Sequence, residues 1–362
     1  MSVFPSKVNF VTGDILTATD VNEIGQAINL LDGAQTSGAK NRVLNSNFSV
    51  WQRGTSSAVT SSSLSFLLAD RWKVYRAATG STVSRQVTGD TTNLPFIQYC
   101  QRIARDSGNA ATNPIITWQN FETVNSIPLA GKTVTLSFYA RAGANYSATS
   151  NGLSVQLIVG TGTDQDAATG YTGAGGAIVQ TATLTTTWQR FSYSATIAAT
   201  VTEMAPYFTF TPTGTAGAND YYEITGVQLE AANTASPYAP NGATYQAELA
   251  ACQRYYFRTA ATSAYSVLGG TGYATSTTNF SGSTQAPVTM RVVPTSVDFS
   301  TIAYQDAAGG VISISASTLD ANQSSTQFIT TNNTVTGATA QRFGRLIAAN
   351  NSAAFLGFSA EL

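Results

Sequence analysis

Residues 133–141 read TVTLSFYAR. Val134, Leu136 and Phe138 alternate with Thr135, Ser137 and Tyr139, the period of two that sends successive side chains to opposite faces of a β-strand. One face is apolar and the other carries hydroxyls, so the segment predicts a half-buried strand lying on a core. Comparable segments recur on both sides of it: DRWKVYRA at 70–77, residues 96–105, LSVQLIVG at 153–160, WQRFSYSATI at 188–197, residues 207–211 and YEITGVQLE at 222–230. Clusters of Gly, Asn, Pro and Thr separate them. Many short strands punctuated by regular turns predict a mainly β chain built as an antiparallel sandwich.

The chain has 362 residues, enough for about two domains at roughly 150 residues each. Only 10% of residues are charged and the net charge is -1, so no basic field exists to draw in nucleic acid or an anionic membrane. Histidine is absent, which removes histidine general acid–base catalysis, Ser-His-Asp and Cys-His triads and imidazole metal sites. Cys100 and Cys252 cannot build a four-cysteine zinc site or a disulfide framework, and both read as free and buried. Apolar runs fall far short of the ~20 residues that span a bilayer. The opening MSVFPSKVNFVTGD lacks an apolar signal core, so cytoplasmic synthesis without membrane insertion is expected.

Residues 17–31 carry the clearest helical signal. Thr17 and Asp20 form a capping-box pattern, Val21, Ile24, Ile28 and Leu31 make an apolar stripe, and Gly33 stops the run. Two heptads are too short for a lone coiled coil, so the stripe packs either on its own chain or, the favoured reading, on further copies of itself. Residues 241–258, NGATYQAELAACQRYYFR, space Tyr245, Leu249, Cys252 and Tyr256 as a short helix running into a strand. Strands are expected again at 288–293, 311–315 and 353–359. The resulting division is an N-terminal attachment segment at 1–40, a β domain at 41–240, the connector at 241–258 and a smaller β-sandwich at 259–362, the last expected to be the receptor-binding tip and to carry the host-contacting surface.

Four stretches, NRVLNSNFSVWQRGTSS (41–57), ADRW (69–72), TWQRFSYSATI (187–197) and ITGVQLEAANTASPYAP (224–240), resemble a family of bacteriophage tail-fibre and related virion proteins. The run AELAACQRYYFR and the terminal FLGFSAEL are similar to that family's following segments. The resemblance implies a jelly roll like that of carbohydrate-binding modules at 41–240. It also implies a homotrimer, an N-terminal region held by another virion tail protein, and a host surface polysaccharide or lipopolysaccharide as partner. Many sugar-binding jelly rolls carry a calcium ion near the domain ends, but residues 41–51 contain no Asp or Glu, so neither metal nor cofactor is expected.

Asp164 and Asp166, in GTGTDQDAATGYTGAGG, form the tightest acidic pair and read as a solvated turn rather than as a glycosidase pair. Trp72 and Trp188 read as core and Trp51 as core or subunit contact, whereas Trp118 is kept as a ligand platform candidate. Tyr265, Tyr273 and Phe280, in SAYSVLGGTGYATSTTNFSG, read as an adaptable binding loop, and the arginines Arg342 and Arg345 as solvated. The expectation is a non-enzymatic receptor-binding virion protein. Its rivals are a purely structural tail or baseplate component and a polysaccharide depolymerase.

Overall fold

The computed structural model describes residues 40–59 and 67–362. The stripe of Val21, Ile24, Ile28 and Leu31 lies outside the described residues. The first sandwich holds eleven strands: β1 (Ser56–Ala58), β2 (Lys73–Arg76), β3 (Ser81–Val87), β4 (Tyr99–Arg105), β5 (Ile115–Trp118), β6 (Thr133–Ala142), β7 (Gly152–Gly160), β8 (Gly175–Thr183), β9 (Gln189–Thr196), β10 (Glu203–Phe210) and β11 (Tyr221–Glu230). They form a six-stranded sheet, β1-β3-β4-β11-β6-β9, and a five-stranded sheet, β2-β5-β10-β7-β8, antiparallel throughout. This is the jelly-roll class of β-sandwich. Between the sheets the aromatic core closes around Phe138, whose ring meets Phe208 edge-on at 5.0 Å, while Phe48 lies 5.1 Å from Trp72.

The strand TVTLSFYAR is β6, and its Val134, Leu136 and Phe138 enter the core as the alternation predicts. Its other face departs from a half-buried strand, for Thr135 and Ser137 are also fully buried. A second, smaller apolar cluster of Leu94, Ile97, Cys100 and Trp188 covers part of that face, with Tyr139 and Tyr238 packed on it. Thr135 donates to the Ala232 carbonyl at 2.7 Å, pinning the segment after β11 across the sheet. A bulge in β11 between Thr225 and Gln228 makes room: Gly226 sits at φ +57, and a Cβ there would lie 2.8 Å from Ile97.

Asn41 closes the domain. Its amide nitrogen donates to the Val227 and Ala239 carbonyls at 3.0 and 3.1 Å, and its oxygen accepts from the Leu229 N–H at 3.2 Å. Asn241 then donates to the Asn41 carbonyl at 2.6 Å. The connector helix, Tyr245–Gln253, is N-capped by Thr244, whose hydroxyl accepts from the Ala247 N–H. It buries Glu248 and Cys252 and leaves Tyr245 exposed, so the expected apolar stripe is wrong at its first position. Glu248 is used there as an acceptor for the N–H groups of Asn45 and Gly242.

The second sandwich has ten strands: β12 (Tyr256–Ala260), β13 (Val267–Ala274), β14 (Asn279–Gln285), β15 (Ser296–Ser300), β16 (Ile302–Asp306), β17 (Val311–Ser313), β18 (Ala316–Leu319), β19 (Phe328–Thr334), β20 (Phe343–Ala348) and β21 (Phe355–Ser359). A three-stranded sheet, β12-β21-β15, packs on a seven-stranded one, β17-β16-β20-β13-β14-β19-β18. Three readings change. Residues 288–293 form bends, not a strand. Residues 263–282 are mostly the β13–β14 hairpin rather than a loop. Strand β12 pairs with β21 and sends Phe257 into the second core, so residues 256–258 belong to the second sandwich and not to the connector.

The two sandwiches meet through charged groups. Arg71, in the left-handed region at φ +71, pairs with Glu361 and stacks its guanidinium 3.5 Å above the Tyr255 ring. Arg53 lies 3.4 Å from the Tyr256 ring centroid and 3.5 Å from both Asp70 and Glu361. Arg254 grips Glu122 with two bonds of 2.9 Å, and Glu122 also accepts from the Tyr255 hydroxyl.

Candidate functional site

In the five-stranded sheet, Val74, Ile115, Val155, Leu157, Phe208 and Phe210 point into the core. Their neighbours along each strand therefore face outward. Cross-strand register lines these up in two rows: Lys73, Trp118, Tyr207 and Gln156, and beside them Tyr75, Ile116, Thr209 and Ser154. Tyr75, Ile116, Tyr207, Gln156, Thr209 and Ser154 are all half-buried. The face thus combines two tyrosine rings and an isoleucine with hydroxyl and amide groups at strand spacing.

Trp118 is in this face but fully buried, its ring tilted 34° against Tyr207 at 5.9 Å. The loop 161–174 roofs it. Asp166 accepts from the Trp118 indole N–H at 3.0 Å and from the Lys73 ammonium at 2.5 Å, and Lys73 also donates to the Leu362 carbonyl. The expected solvated turn is therefore a tethered lid: a buried indole N–H and a buried ammonium both need an acceptor, and Asp166 supplies it. The lid is fastened at four further points. Asp164 and Thr123 exchange bonds of 2.8 and 2.9 Å, the Ala167 N–H and the Tyr171 hydroxyl reach Asn120 Oδ1 at 3.1 and 3.2 Å, Gln165 N–H meets Glu203, and Arg291 of the second sandwich lies 3.5 Å from Asp164. Burial first, then the negative charge of Asp166 and the neighbouring Tyr75, pushes the Tyr207 hydroxyl up to about 12. It stays protonated, able to donate as well as accept.

Such a face suits a sugar ring. Aromatic faces pack on the apolar C–H faces of a pyranose, while tyrosine hydroxyls, Thr209, Ser154 and Gln156 meet its hydroxyls. Both oxygens of Asp166 are already occupied by Trp118 and Lys73, which makes it a positioning group.

The other residues singled out from sequence do not assemble. Phe280 is fully buried, stacked on Tyr304 at 4.3 Å, and its reading as a ligand contact is corrected. That stacked pair lies over Gly344, Gly272 and Gly282, adjacent across the sheet; a Cβ on Gly344 would come 2.3 Å from Tyr304, and one on Gly282 2.7 Å from Phe280. Of the glycines read as binding-loop flexibility, Gly282 is thus packed under an aromatic ring, while Gly269 and Gly270 abut Thr284 and Leu346. Tyr265 and Tyr273 are exposed but at opposite ends of β13, and Tyr273 neighbours Phe343 at 6.2 Å. Arg342 is not simply solvated but pairs with Asp306 at 2.8 Å. Tyr75 and Tyr207 were missed, although each sits beside a core residue in an alternating strand (KVYR, EMAPYFTF), which is the signal that could have found them. Among the described residues no three Asp, Glu or Cys side chains converge as metal ligands.

No protein-family model and no characterised protein matches the chain. Solved structures similar to it include the enzymatically active domain of bacteriophage CBA120 tailspike protein 4, at 12% identity and TM-score 0.33 over 54% of this chain and 22% of that chain. A CBM4 module is 18% identical at TM-score 0.31 over 51% of this chain and 97% of the other. TmCBM61 in complex with β-1,4-galactotriose is 14% identical at TM-score 0.28 over 54% and 100%. Likenesses this distant leave the functional reading to the site itself.

Proposed function

We propose that this chain is a non-catalytic glycan-binding protein of a bacteriophage tail, which attaches through residues 1–40, trimerises through the 17–31 stripe and engages host surface polysaccharide. The observation that carries the glycan reading is the double row on the five-stranded sheet, with Tyr75, Ile116 and Tyr207 half-exposed beside Thr209, Ser154 and Gln156. The virion and trimer readings rest on the resemblance of the four quoted stretches. Binding at one face is weak by nature, and three copies per fibre multiply it through effective concentration.

The test is titration of purified full-length protein with lipopolysaccharide-derived polysaccharide from a susceptible host. Tyr75→Ala and Tyr207→Ala should each weaken binding by about tenfold or more, the loss of one stacking contact with its hydroxyl bond. Full binding by the folded double variant would refute the site. Loss confined to Tyr273→Ala and Phe343→Ala would move it to the second sandwich, where those two rings are 41% and 70% exposed. Light scattering should give three times the 37.8 kDa chain mass; a monomer at micromolar concentration would end the fibre reading. New reducing ends during incubation would promote the depolymerase reading.

A further inference from the structure

On the outer face of the seven-stranded sheet, in the second sandwich, a groove of about 660 Å³ runs between Phe343 and the paired side chains of Arg345 and Gln305. Phe343 and Arg345 are two residues apart on β20, so both side chains stand on the solvent face, ~7 Å from one another. Between them Gly344 and its neighbour Gly272 leave a floor of bare backbone. Tyr273 lies opposite Phe343 across the strand pair, the two rings tilted by 57°. Beyond Tyr273 the same row continues through Ser281 and Asn332. All of these side chains are within reach of solvent: Phe343, Tyr273 and Arg345 are exposed, and Gln305, Ser281 and Asn332 are half-buried.

Two adjacent rings open to water offer a platform for the C–H face of a pyranose, and Ser281 and Asn332 offer hydrogen bonds to the residue that follows it. Charge narrows the class further. Arg258, Arg291 and Arg342 pair with Asp298, Asp164 and Asp306, whereas Arg345 has no carboxylate partner among the described residues. Its Nε and one terminal nitrogen donate to the neutral Gln305 oxygen, at 3.1 Å each, which fixes the guanidinium and leaves its charge uncompensated. Asp306 also borders the groove, but its oxygens are taken by the N–H groups of Ala308 and Gly310 and by Arg342. The ~7 Å between Phe343 and Arg345 is a distance that a carboxylate on the stacked pyranose spans with one hydrogen bond of ~2.8 Å.

We infer that this groove is a second glycan site, independent of the tyrosine rows, that takes a hexuronate unit of an acidic polysaccharide, its pyranose on Phe343 and Tyr273 and its carboxylate on Arg345. Calorimetric titration of the full chain with tetragalacturonate tests it, with fully methyl-esterified tetragalacturonate and sodium acetate as parallel arms. The ester keeps the rings and removes the charge, so it should bind about tenfold or more weakly, and acetate should show no saturable binding. Arg345→Gln should lower tetragalacturonate affinity about tenfold and bring it level with the ester, whereas Phe343→Ala should lower the affinity for both. Both side chains are exposed, so both variants should melt as the native chain does. Absence of saturable binding, acid and ester bound alike, or undiminished affinity in either folded variant would each overturn the inference. Binding kept in Phe343→Ala and lost in Tyr207→Ala would overturn it too, by placing the hexuronate on the tyrosine rows.

Discussion

Burial of Asp70 at the domain junction pushes its carboxyl from 3.8 up to about 7, because desolvation outweighs the pull of Arg53 and the Gln52 N–H. The sign of the resulting pH dependence is opposite to that of an ordinary paired carboxylate. Between 3.8 and about 7 the folded chain keeps a proton that the unfolded chain has released, so stability falls as pH rises through that window and the loss is complete above it. Asp70→Asn should remove this component. Melting temperature measured from pH 4 to 8 should then drop less steeply in the variant than in the native chain, and parallel profiles would refute the assignment. Gly272 is a second decisive residue: a Cβ there would lie 1.9 Å from the Ser281 carbonyl oxygen. Gly272→Ala should therefore unfold the second sandwich or leave it insoluble, whereas Thr271→Ala, exposed on the same strand, should shift the melting temperature little.

At the scale of elements, the lid 161–174 shows why strands were legible and loops were not. Alternation in TVTLSFYAR, LSVQLIVG and YEITGVQLE reports burial directly, since period two assigns each side chain to a face, and those strands form close to where the pattern puts them. A Gly-rich loop carries no period. What Asp166 does depends on Trp118 and Lys73, 48 and 93 residues away in sequence, and nothing local encodes that meeting. The same holds for Phe280, whose neighbours Ser and Gly look like a binding loop until Tyr304 is stacked on it. Asp166→Ala should unpair the Trp118 indole at a cost of about 1–3 kcal/mol and admit solvent to it. Since Trp51, Trp72 and Trp188 are buried as well, acrylamide quenching of tryptophan fluorescence should rise clearly above a low background. Unchanged quenching would mean that the lid is held by its other fastenings alone.

At the scale of the molecule, two separate cores are joined through ion pairs and through arginines stacked on buried tyrosine rings. The chemistry of the junction was not legible in the sequence, because Arg71 and Glu361 are 290 residues apart. Both are nearly buried, so Glu361→Ala strands a cation and should destabilise the junction by about 3–5 kcal/mol. Calorimetry should then resolve two melting transitions where one is expected of the native chain; a single transition at the native temperature would show the junction to be redundant.

The bonds of Asn41 have a mechanical meaning. They bring residue 41 beside residues 227–241, so the first sandwich begins and ends at one point. Tension applied along the chain enters and leaves the domain through this short clasp. The clasp is loaded first, and the eleven strands hang beside the line of force instead of in it. The tyrosine rows on the five-stranded sheet thus keep their spacing under a pull that would shear a domain strung end to end.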